Sequence, residues 1–394
     1  MPSPGITAIL LRAGLFPSTG WNVNTLAIIE YNMKVTALQA QSEGLGAASV
    51  GEYRGATTAA RFGDPREELA ALRSGCGVYD LGCRAKISLT GEDRMRWLNG
   101  MVTNNIRDLA VGRGVYAFLL NPQGRILGDL YAYNRGESIA VDTDLSQAEK
   151  ILSTFDHYII MDDVEVKNLS EELTALGIGG PRSRDMLTAS GLPVPEMQSL
   201  EIQSSSWQGI DCTLVRGERN NYEIWLPAKD VRQLWNSLLA AGATPVGFET
   251  LELERIESGV PAYGIDIRER DLPQETEQDR ALNFSKGCYV GQEIVERIRS
   301  RGAVHRKFTG FLADAPVTPG SKVAANDKDI GEITSVAALP SAEHRTIALG
   351  YIRREVGAPG REVKIGTTKA TVVQLPLRQE MLQRNESSRE QRPA

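Results

Sequence analysis

Apolar positions in the first 260 residues follow two different periods, which predicts a mixture of strands and helices. Residues 85–89 alternate at every second position, as a half-buried strand does. Residues 231–239 carry apolar side chains at the spacing of one helix face. Two apolar runs, 116–120 and 124–133, are separated by a short Asn-Pro-Gln segment that has the composition of a turn. We therefore expect these two runs to pair as an antiparallel hairpin.

The pattern changes after Gly302 to short apolar runs punctuated by glycine and proline. Almost no helical spacing intervenes, so this part of the chain is predicted to form a small closed or sandwich-like β domain. The predicted strands are 308–312, 322–325, 330–336, 346–352, 363–365 and 370–375. Together with the mixed pattern before it, this predicts an α+β protein with a separate C-terminal β module.

Composition places the chain among ordinary globular proteins. Its 394 residues are 41% hydrophobic and 24% charged, with a net charge of −6, so there is room for two or three domains and no general basic surface for nucleic acid. No stretch approaches the roughly 20 apolar residues that a membrane-spanning helix needs. We expect a protein that binds neither nucleic acid nor membrane.

The cysteines and histidines are few and scattered. Cys76, Cys83, Cys212 and Cys288 form no Cys-x-x-Cys motif, and the three histidines do not cluster. Neither a disulfide framework nor a self-contained zinc site is therefore expected, and a reducing cytoplasm fits this composition.

One short stretch carries the candidate chemistry. Cys288 lies between Gly287 and Gly291, two residues after Lys286, and precedes a segment with helical spacing. If a helix begins here, its dipole and the ammonium of Lys286 both favour a thiolate at Cys288. A thiolate is a nucleophile and a soft metal ligand. The alternative is a small buried cysteine in a bend between glycines.

The octapeptide KGCYVGQE at residues 286–293 resembles the signature of the folate-binding YgfZ family, whose members are relatives of the glycine-cleavage T-protein. Residues 259–266, 272–275 and 302–306 are similar to that family's pattern in the same order. The resemblance extends over roughly residues 34–375.

The resemblance implies a three-module ring around a folate cavity. Two intertwined α/β lobes would occupy residues 33–300, and a β-barrel would occupy residues 301–377. Residues 1–32 would form a weakly structured extension ahead of a native start at Met33, and residues 378–394 a disordered tail.

The resemblance also implies residues for the folate site. Asp129 matches the catalytic aspartate in an Asp-Asp pair of the T-protein, although the first member of the pair is Gly128 here. Glu218 would accept hydrogen bonds from the donor edge of the pterin, and Asn104 would help to line the cavity. A strand-end carboxylate at Asp129 and a solvated turn at Glu218 are the alternatives. The further candidate folate contacts are Tyr289, Gln292, Glu293 and Arg297.

Arg297 belongs to a locally basic segment. Residues 286–307 contain six basic and two acidic side chains, a local charge of 6 − 2 = +4. The segment is either a solvated helix face, a site for the glutamate tail of folate, or a docking surface for an acidic partner.

For function, the resemblance implies a monomeric tetrahydrofolate-binding protein that assists iron–sulfur cluster assembly or repair. Cys288 and Lys286 would be its active groups, Cys288 a transient ligand of the cluster, and its partners folate and iron–sulfur assembly proteins or client enzymes. The alternative is a folate-dependent aminomethyltransferase, in which Asp129 positions N10 of folate. The loss of the first aspartate at Gly128 argues against this transferase chemistry. A folate-binding demethylase or a scaffold is a third hypothesis.

Overall fold

The computed structural model of this protein describes residues 34–41, 45–302, 304–326, 328–339 and 345–377. The predicted N-terminal extension and C-terminal tail lie outside these residues. The helices are α1 (Ala37–Ala40), α2 (Pro65–Ser74), α3 (Arg94–Met101), α4 (Leu145–Tyr158), α5 (Ser183–Ala189), α6 (Val231–Ala240), α7 (Phe248–Glu257) and α8 (Gln292–Arg301). None of the described helices is both long and apolar enough to cross a membrane.

The strands of the lobes precede those of the barrel in the chain. Those of the lobes are β1 (Lys34–Val35), β2 (Ser49–Tyr53), β3 (Ala56–Arg61), β4 (Gly77–Asp80), β5 (Arg84–Thr90), β6 (Gly114–Leu120), β7 (Ile126–Asn134), β8 (Ile139–Asp144), β9 (Glu165–Asn168), β10 (Leu173–Gly179), β11 (Ile202–Trp207), β12 (Ile210–Arg216), β13 (Asn221–Pro227) and β14 (Thr244–Pro245). Those of the barrel are β15 (Arg306–Ala313), β16 (Lys322–Ala325), β17 (Lys328–Ala338), β18 (Thr346–Arg353), β19 (Glu362–Ile365) and β20 (Thr368–Val373).

The first lobe is a five-stranded sheet in the order β6-β7-β8-β5-β9. The predicted hairpin is confirmed, because β6 and β7 pair antiparallel with Phe118 opposite Asp129. Alternation along β7 sends Leu130 and Ala132 into the core that contains Ile151 and Phe155 of α4. The opposite face of β7 carries Asp129, and it is therefore the face available to a ligand.

The second lobe is a six-stranded sheet in the order β11-β12-β13-β10-β4-β14. The amphipathic face of α6 packs against this sheet, with Leu234, Trp235 and Leu238 fully buried. The chain enters this sheet at β4, leaves to build the whole first lobe, and returns at β10. The two lobes are intertwined, as predicted, because the chain crosses between the sheets in this way. A separate three-stranded sheet has the order β1-β3-β2.

The C-terminal β module is a closed barrel in the order β15-β18-β17-β16-β19-β20. Each of its six strands corresponds to one of the runs predicted from sequence. Its interior is filled by Phe311, Val323, Ile333 and Val372 with other apolar side chains. The α+β class and the barrel are thus confirmed.

A buried polar cluster joins the barrel to the lobes. Asp266 is fully buried and forms an ion pair with Arg255 of α7, with 2.7 Å between Arg255 Nη1 and Asp266 Oδ2. The same carboxylate accepts hydrogen bonds from Thr334 and Ser335 of β17. Arg255 also donates to Ser335 at 3.0 Å, so both charges are satisfied across the junction.

Candidate functional site

A cavity of about 280 Å³ lies between the two sheets, and residues 260–263 also line it. Asp129 and Glu218, two of the three carboxylates predicted to contact folate, both line it. Tyr116, Tyr131 and Arg280 line the same space. The fold therefore brings together side chains that lie far apart in the sequence.

Asp129 is held firmly in the cavity wall. Its carboxylate accepts hydrogen bonds from Tyr116 Oη at 2.7 Å and from Gln147 Nε2 at 2.8 Å. Its backbone N–H donates to Gln147 Oε1 at 2.9 Å. Burial, and then the negative charge of Asp144, raise the pKa of Asp129 above its ordinary value. Asp129 is thus a positioned carboxyl group that binds a proton more readily than a solvated one.

Gly128 faces the other way. A Cβ built on Gly128 would lie 3.1 Å from Gln147 Oε1 and 3.4 Å from Ile151 Cδ1, in the core beneath the sheet. The first position of the Asp-Asp pair therefore does not point into the cavity. The absence of an aspartate at position 128 therefore does not argue against transferase chemistry, because a side chain at that position would not reach a ligand in the cavity.

Glu218 lies across the cavity from the strands of the first lobe, in the turn between β12 and β13. Tyr131 Oη donates to Glu218 Oε2 at 2.9 Å, and Arg280 forms an ion pair with the same oxygen. The guanidinium of Arg280 stacks on the ring of Tyr116, 4.3 Å from its centre. Two aromatic rings, a carboxylate and a cation therefore meet at this end of the cavity.

A charged cluster adjoins the cavity, and its members Arg54, Arg84 and Asp144 line it. Asp144 forms ion pairs with Arg84 at 2.6 Å and with Arg54 at 3.2 Å. Asp142 pairs with Arg84 and with Lys86, the latter at 2.5 Å. Burial alone would raise the pKa values of Asp142 and Asp144, but the neighbouring cations outweigh it and hold both below the ordinary value. Both aspartates therefore stay ionised beside Asp129.

Sequence reasoning missed several of the residues that line the cavity. The missed residues include Tyr116, Tyr131, Tyr133, Arg84, Glu223 and Arg280. The tyrosines carry a usable signal, because Asp129, Tyr131 and Tyr133 lie at every second position of one strand and must share a face. Arg84, Glu223 and Arg280 carry no comparable local signal.

Lys286 anchors the segment that carries Cys288. Its buried Nζ donates to the backbone carbonyls of Asn99 and Val102, both at 2.5 Å, and of Asn104 at 2.8 Å. Burial lowers the pKa of Lys286 to about 7. The ammonium is thus directed to the C-terminal end of α3 and its following loop, and it serves as a clamp there.

Cys288 is the exposed member of the four free cysteines, while Cys76, Cys83 and Cys212 are buried. The predicted helix α8 begins at Gln292 with Gly291 as its N-cap, so Cys288 precedes its first turn. The structure therefore removes the helix-dipole argument for a thiolate, because the dipole effect falls off within the first turn. It also directs Lys286 elsewhere. Exposure is the property that remains in favour of a reactive thiol.

The other predicted contacts lie outside the cavity lining. Asn104 donates from its side chain to the carbonyls of Tyr116 and Arg280, both at 2.8 Å, and so joins two segments that line the cavity. Tyr289 is buried beside Tyr116 in an apolar cluster. The remaining three are on α8, where Gln292 accepts from the Tyr289 N–H and Glu293 pairs with Arg297 on the exposed face.

No group of three or more histidine, cysteine, aspartate and glutamate side chains in the described ranges has the arrangement of a metal site. Cys288 therefore belongs to no such group among those residues. A cluster bound through Cys288 would need its remaining ligands from another molecule.

The fold and the cavity define a two-lobe protein with an appended barrel. Two family models match the chain: the GCVT N-terminal domain over residues 38–286 and the glycine cleavage T-protein C-terminal barrel domain over residues 306–378. The first match alone covers more than half of the chain. This protein therefore belongs to the glycine cleavage T-protein family.

Individual relatives agree with this assignment. The aminomethyltransferase of Streptomyces coelicolor is 29% identical over 349 residues, covering 84% of this chain and 92% of its own. The aminomethyltransferase of Herpetosiphon aurantiacus is 27% identical over 364 residues, covering 87% and 98%. The crystal structure of the glycine cleavage aminomethyltransferase T of Bartonella henselae superposes with a TM-score of 0.79 over 88% of this chain and 98% of that one. At 22% identity, that likeness supports the fold alone.

Proposed function

We propose that this protein binds tetrahydrofolate in the cavity between its lobes and positions N10 of the folate to accept the one-carbon unit of an aminomethyl group, whose amine is the leaving group, as an aminomethyltransferase-type protein. The observation that carries the proposal is the cavity-facing carboxylate of Asp129, which is held by Tyr116 and Gln147 and has a raised pKa. The aminomethyltransferase relatives described above favour the same choice. Residues 33–300 would form the folate-binding lobes and residues 301–377 the barrel domain.

The residues present fit a folate. Tyr116 and Tyr131 offer aromatic faces to a pterin, and Glu218 offers a carboxylate to a planar edge with adjacent N–H donors. When bound, tetrahydrofolate supplies the nitrogen that accepts or carries the one-carbon group. Asp129 would orient that nitrogen and hold or release a proton beside it, and burial, which raises the pKa of Asp129 above its ordinary value, favours the protonated form more than in a solvated carboxyl group.

Calorimetric titration with tetrahydrofolate tests the binding step. Asp129→Asn and Glu218→Gln should each weaken binding, because each removes a negative charge from a hydrogen-bonded acceptor. Asp108→Asn is the matched control, because Asp108 pairs with Arg107 on the surface outside the cavity lining. Unchanged affinity in both cavity variants would overturn these assignments.

Formation of methylene-tetrahydrofolate in the presence of the other glycine-cleavage components tests the transfer step. Asp129→Asn should reduce this rate by about 10²–10⁴-fold if the carboxyl group moves a proton in the transition state. Cys288→Ser should leave the rate unchanged, since Cys288 lies outside the cavity lining. A wild-type protein that binds folate without any turnover would remove the transferase proposal and leave folate binding intact.

The exposure of Cys288 favours a second candidate function, assistance to iron–sulfur cluster assembly or repair, in line with the YgfZ-like octapeptide. The cluster would be cargo, shared transiently between Cys288 and a partner protein. Cys288→Ser should then fail to restore iron–sulfur enzyme activity in cells that lack this protein, while Cys212→Ser, at a buried thiol, should restore it. Full restoration by Cys288→Ser would exclude this role of the thiol.

A further inference from the structure

Arg280 lines the cavity, and three groups hold its guanidinium there. Its guanidinium lies over the ring of Tyr116, with its central carbon 4.3 Å from the ring centre. Its Nη1 forms an ion pair with Glu218 Oε2, and its Nε donates to Gln278 Oε1 at 3.1 Å. The guanidinium is thus held by an aromatic face, a carboxylate and an amide oxygen.

These are the interactions that the proposed function assigns to the pterin ring. A guanidinium is planar, stacks on aromatic rings and presents adjacent N–H donors. The amino and ring N–H groups of a pterin form a similar planar donor edge. Arg280 and that edge therefore have the same chemical requirement, which is an aromatic surface beside the carboxylate of Glu218.

Glu218 cannot accept the full set of hydrogen bonds from Arg280 and from a pterin edge at the same time. Tyr131 and Arg280 both donate to Oε2 of Glu218. A ligand edge with two parallel donors needs both carboxylate oxygens. Such an edge must therefore displace Arg280 from Oε2.

We propose that Arg280 is an internal surrogate for the pterin, which occupies Glu218 in the unliganded protein and is displaced when a folate binds. The inference rests on the proposed folate site and adds to it a residue that sets affinity. Arg280 therefore favours ligands whose donor edge competes with a guanidinium for Glu218. Its removal should therefore strengthen binding, whereas removal of an ordinary contact residue weakens it.

Calorimetry under anaerobic conditions tests this with two probes, tetrahydrofolate and 6-methyltetrahydropterin, which lacks the glutamate tail. Arg280→Ala should bind both probes about two- to fivefold more tightly than the parent, the factor expected for loss of a partly exposed ion pair. Arg280→Lys should fall between the two, because it keeps a charge and loses the planar fork. Arg354→Ala is the control, since Arg354 pairs with Glu277 at similar exposure outside the cavity lining.

A double variant isolates the mechanism. In a Glu218→Gln background, Arg280→Ala should give no gain, because the carboxylate for which the two groups compete is absent. Weaker binding of tetrahydrofolate with unchanged binding of 6-methyltetrahydropterin would make Arg280 a contact of the glutamate tail and overturn the proposal. Unchanged binding of both probes would overturn it as well. Failure of the parent protein to bind either probe would instead remove the folate site itself.

Discussion

Restoring the aspartate pair of the T-protein by Gly128→Asp should destabilise this protein and add no activity. The new side chain would start 3.1 Å from Gln147 Oε1, an acceptor already used by the N–H of Asp129. Its other neighbour is Ile151, which is fully buried. The carboxylate would therefore be buried beside an acceptor and an apolar group, without a donor.

The cost follows from the shift in pKa that such burial imposes. A fully buried carboxyl group has its pKa raised by about 3–5 units from the usual ~3.9. Because the folded pKa is then higher than the unfolded one, the penalty is absent below about pH 3.9 and grows as the pH rises. At 1.36 kcal/mol per unit, we expect a loss of about 1.5 kcal/mol at about pH 5 and about 4 kcal/mol at about pH 7.

Urea denaturation at the two pH values measures this loss. Gly128→Asn is the matched control, because it has nearly the same volume and no titratable group, so its cost should not depend on pH. The quantity to compare is the difference in unfolding free energy between the two variants. An equal free energy for both at each pH, or faster methylene-tetrahydrofolate formation by Gly128→Asp than by the parent, would refute the orientation that we assign to this position.

Three further predictions concern the anchor, the barrel junction and the charged wall. Lys286→Met should lower the free energy of unfolding by about 1–3 kcal/mol, because three carbonyls lose a buried donor. Cys288→Ser should change this free energy by less than about 0.5 kcal/mol. Thermal or urea unfolding of the two variants measures the difference. Asp266→Asn should cost about 1–3 kcal/mol, because Arg255 loses the fully buried one of its two carboxylate partners and keeps Glu252 at 2.9 Å; equal stability in urea would contradict the assigned ion pair. The lowered pKa of Asp142 stabilises the fold above its unfolded pKa of ~3.9, and this contribution is lost as the pH falls through the lower folded pKa. Asp142→Asn should therefore unfold with a weaker dependence on acid than the parent, as pH titration of the unfolding midpoint would show.

Local patterns in the sequence were sufficient to predict several elements of secondary structure. The barrel strands could be predicted because each is a short apolar run bounded by glycine or proline. Such a pattern involves only residues a few positions apart. The hairpin of β6 and β7 and the helix α6 were predicted for the same reason. The octapeptide at residues 286–293 pointed to the YgfZ family as relatives of the glycine-cleavage T-protein, and the family models matched residues 38–286 and 306–378 to the T-protein family.

Alternation along a strand establishes that residues 128 and 129 face opposite sides, but it does not say which side faces a ligand. The packing of Ile151 beneath Gly128 decides this, because α4 covers that face of the sheet. The sequence also suggested a cation for the thiol at Cys288. The tertiary structure directs the ammonium of Lys286 instead to carbonyls more than 180 positions earlier in the chain.

The cavity depends on tertiary structure to a still greater degree. Glu218 and Arg280 belong to different segments, and no local period relates a turn between strands to a loop ahead of α8. They meet because the chain leaves the second sheet after β4, builds the first lobe and returns, which closes both lobes around one space. The sequence by itself thus determined several elements and the relation to the T-protein, since both reside in short-range pattern. Which side chains share the site was decided by the tertiary structure, because only the closed fold brings distant segments within reach of a single ligand.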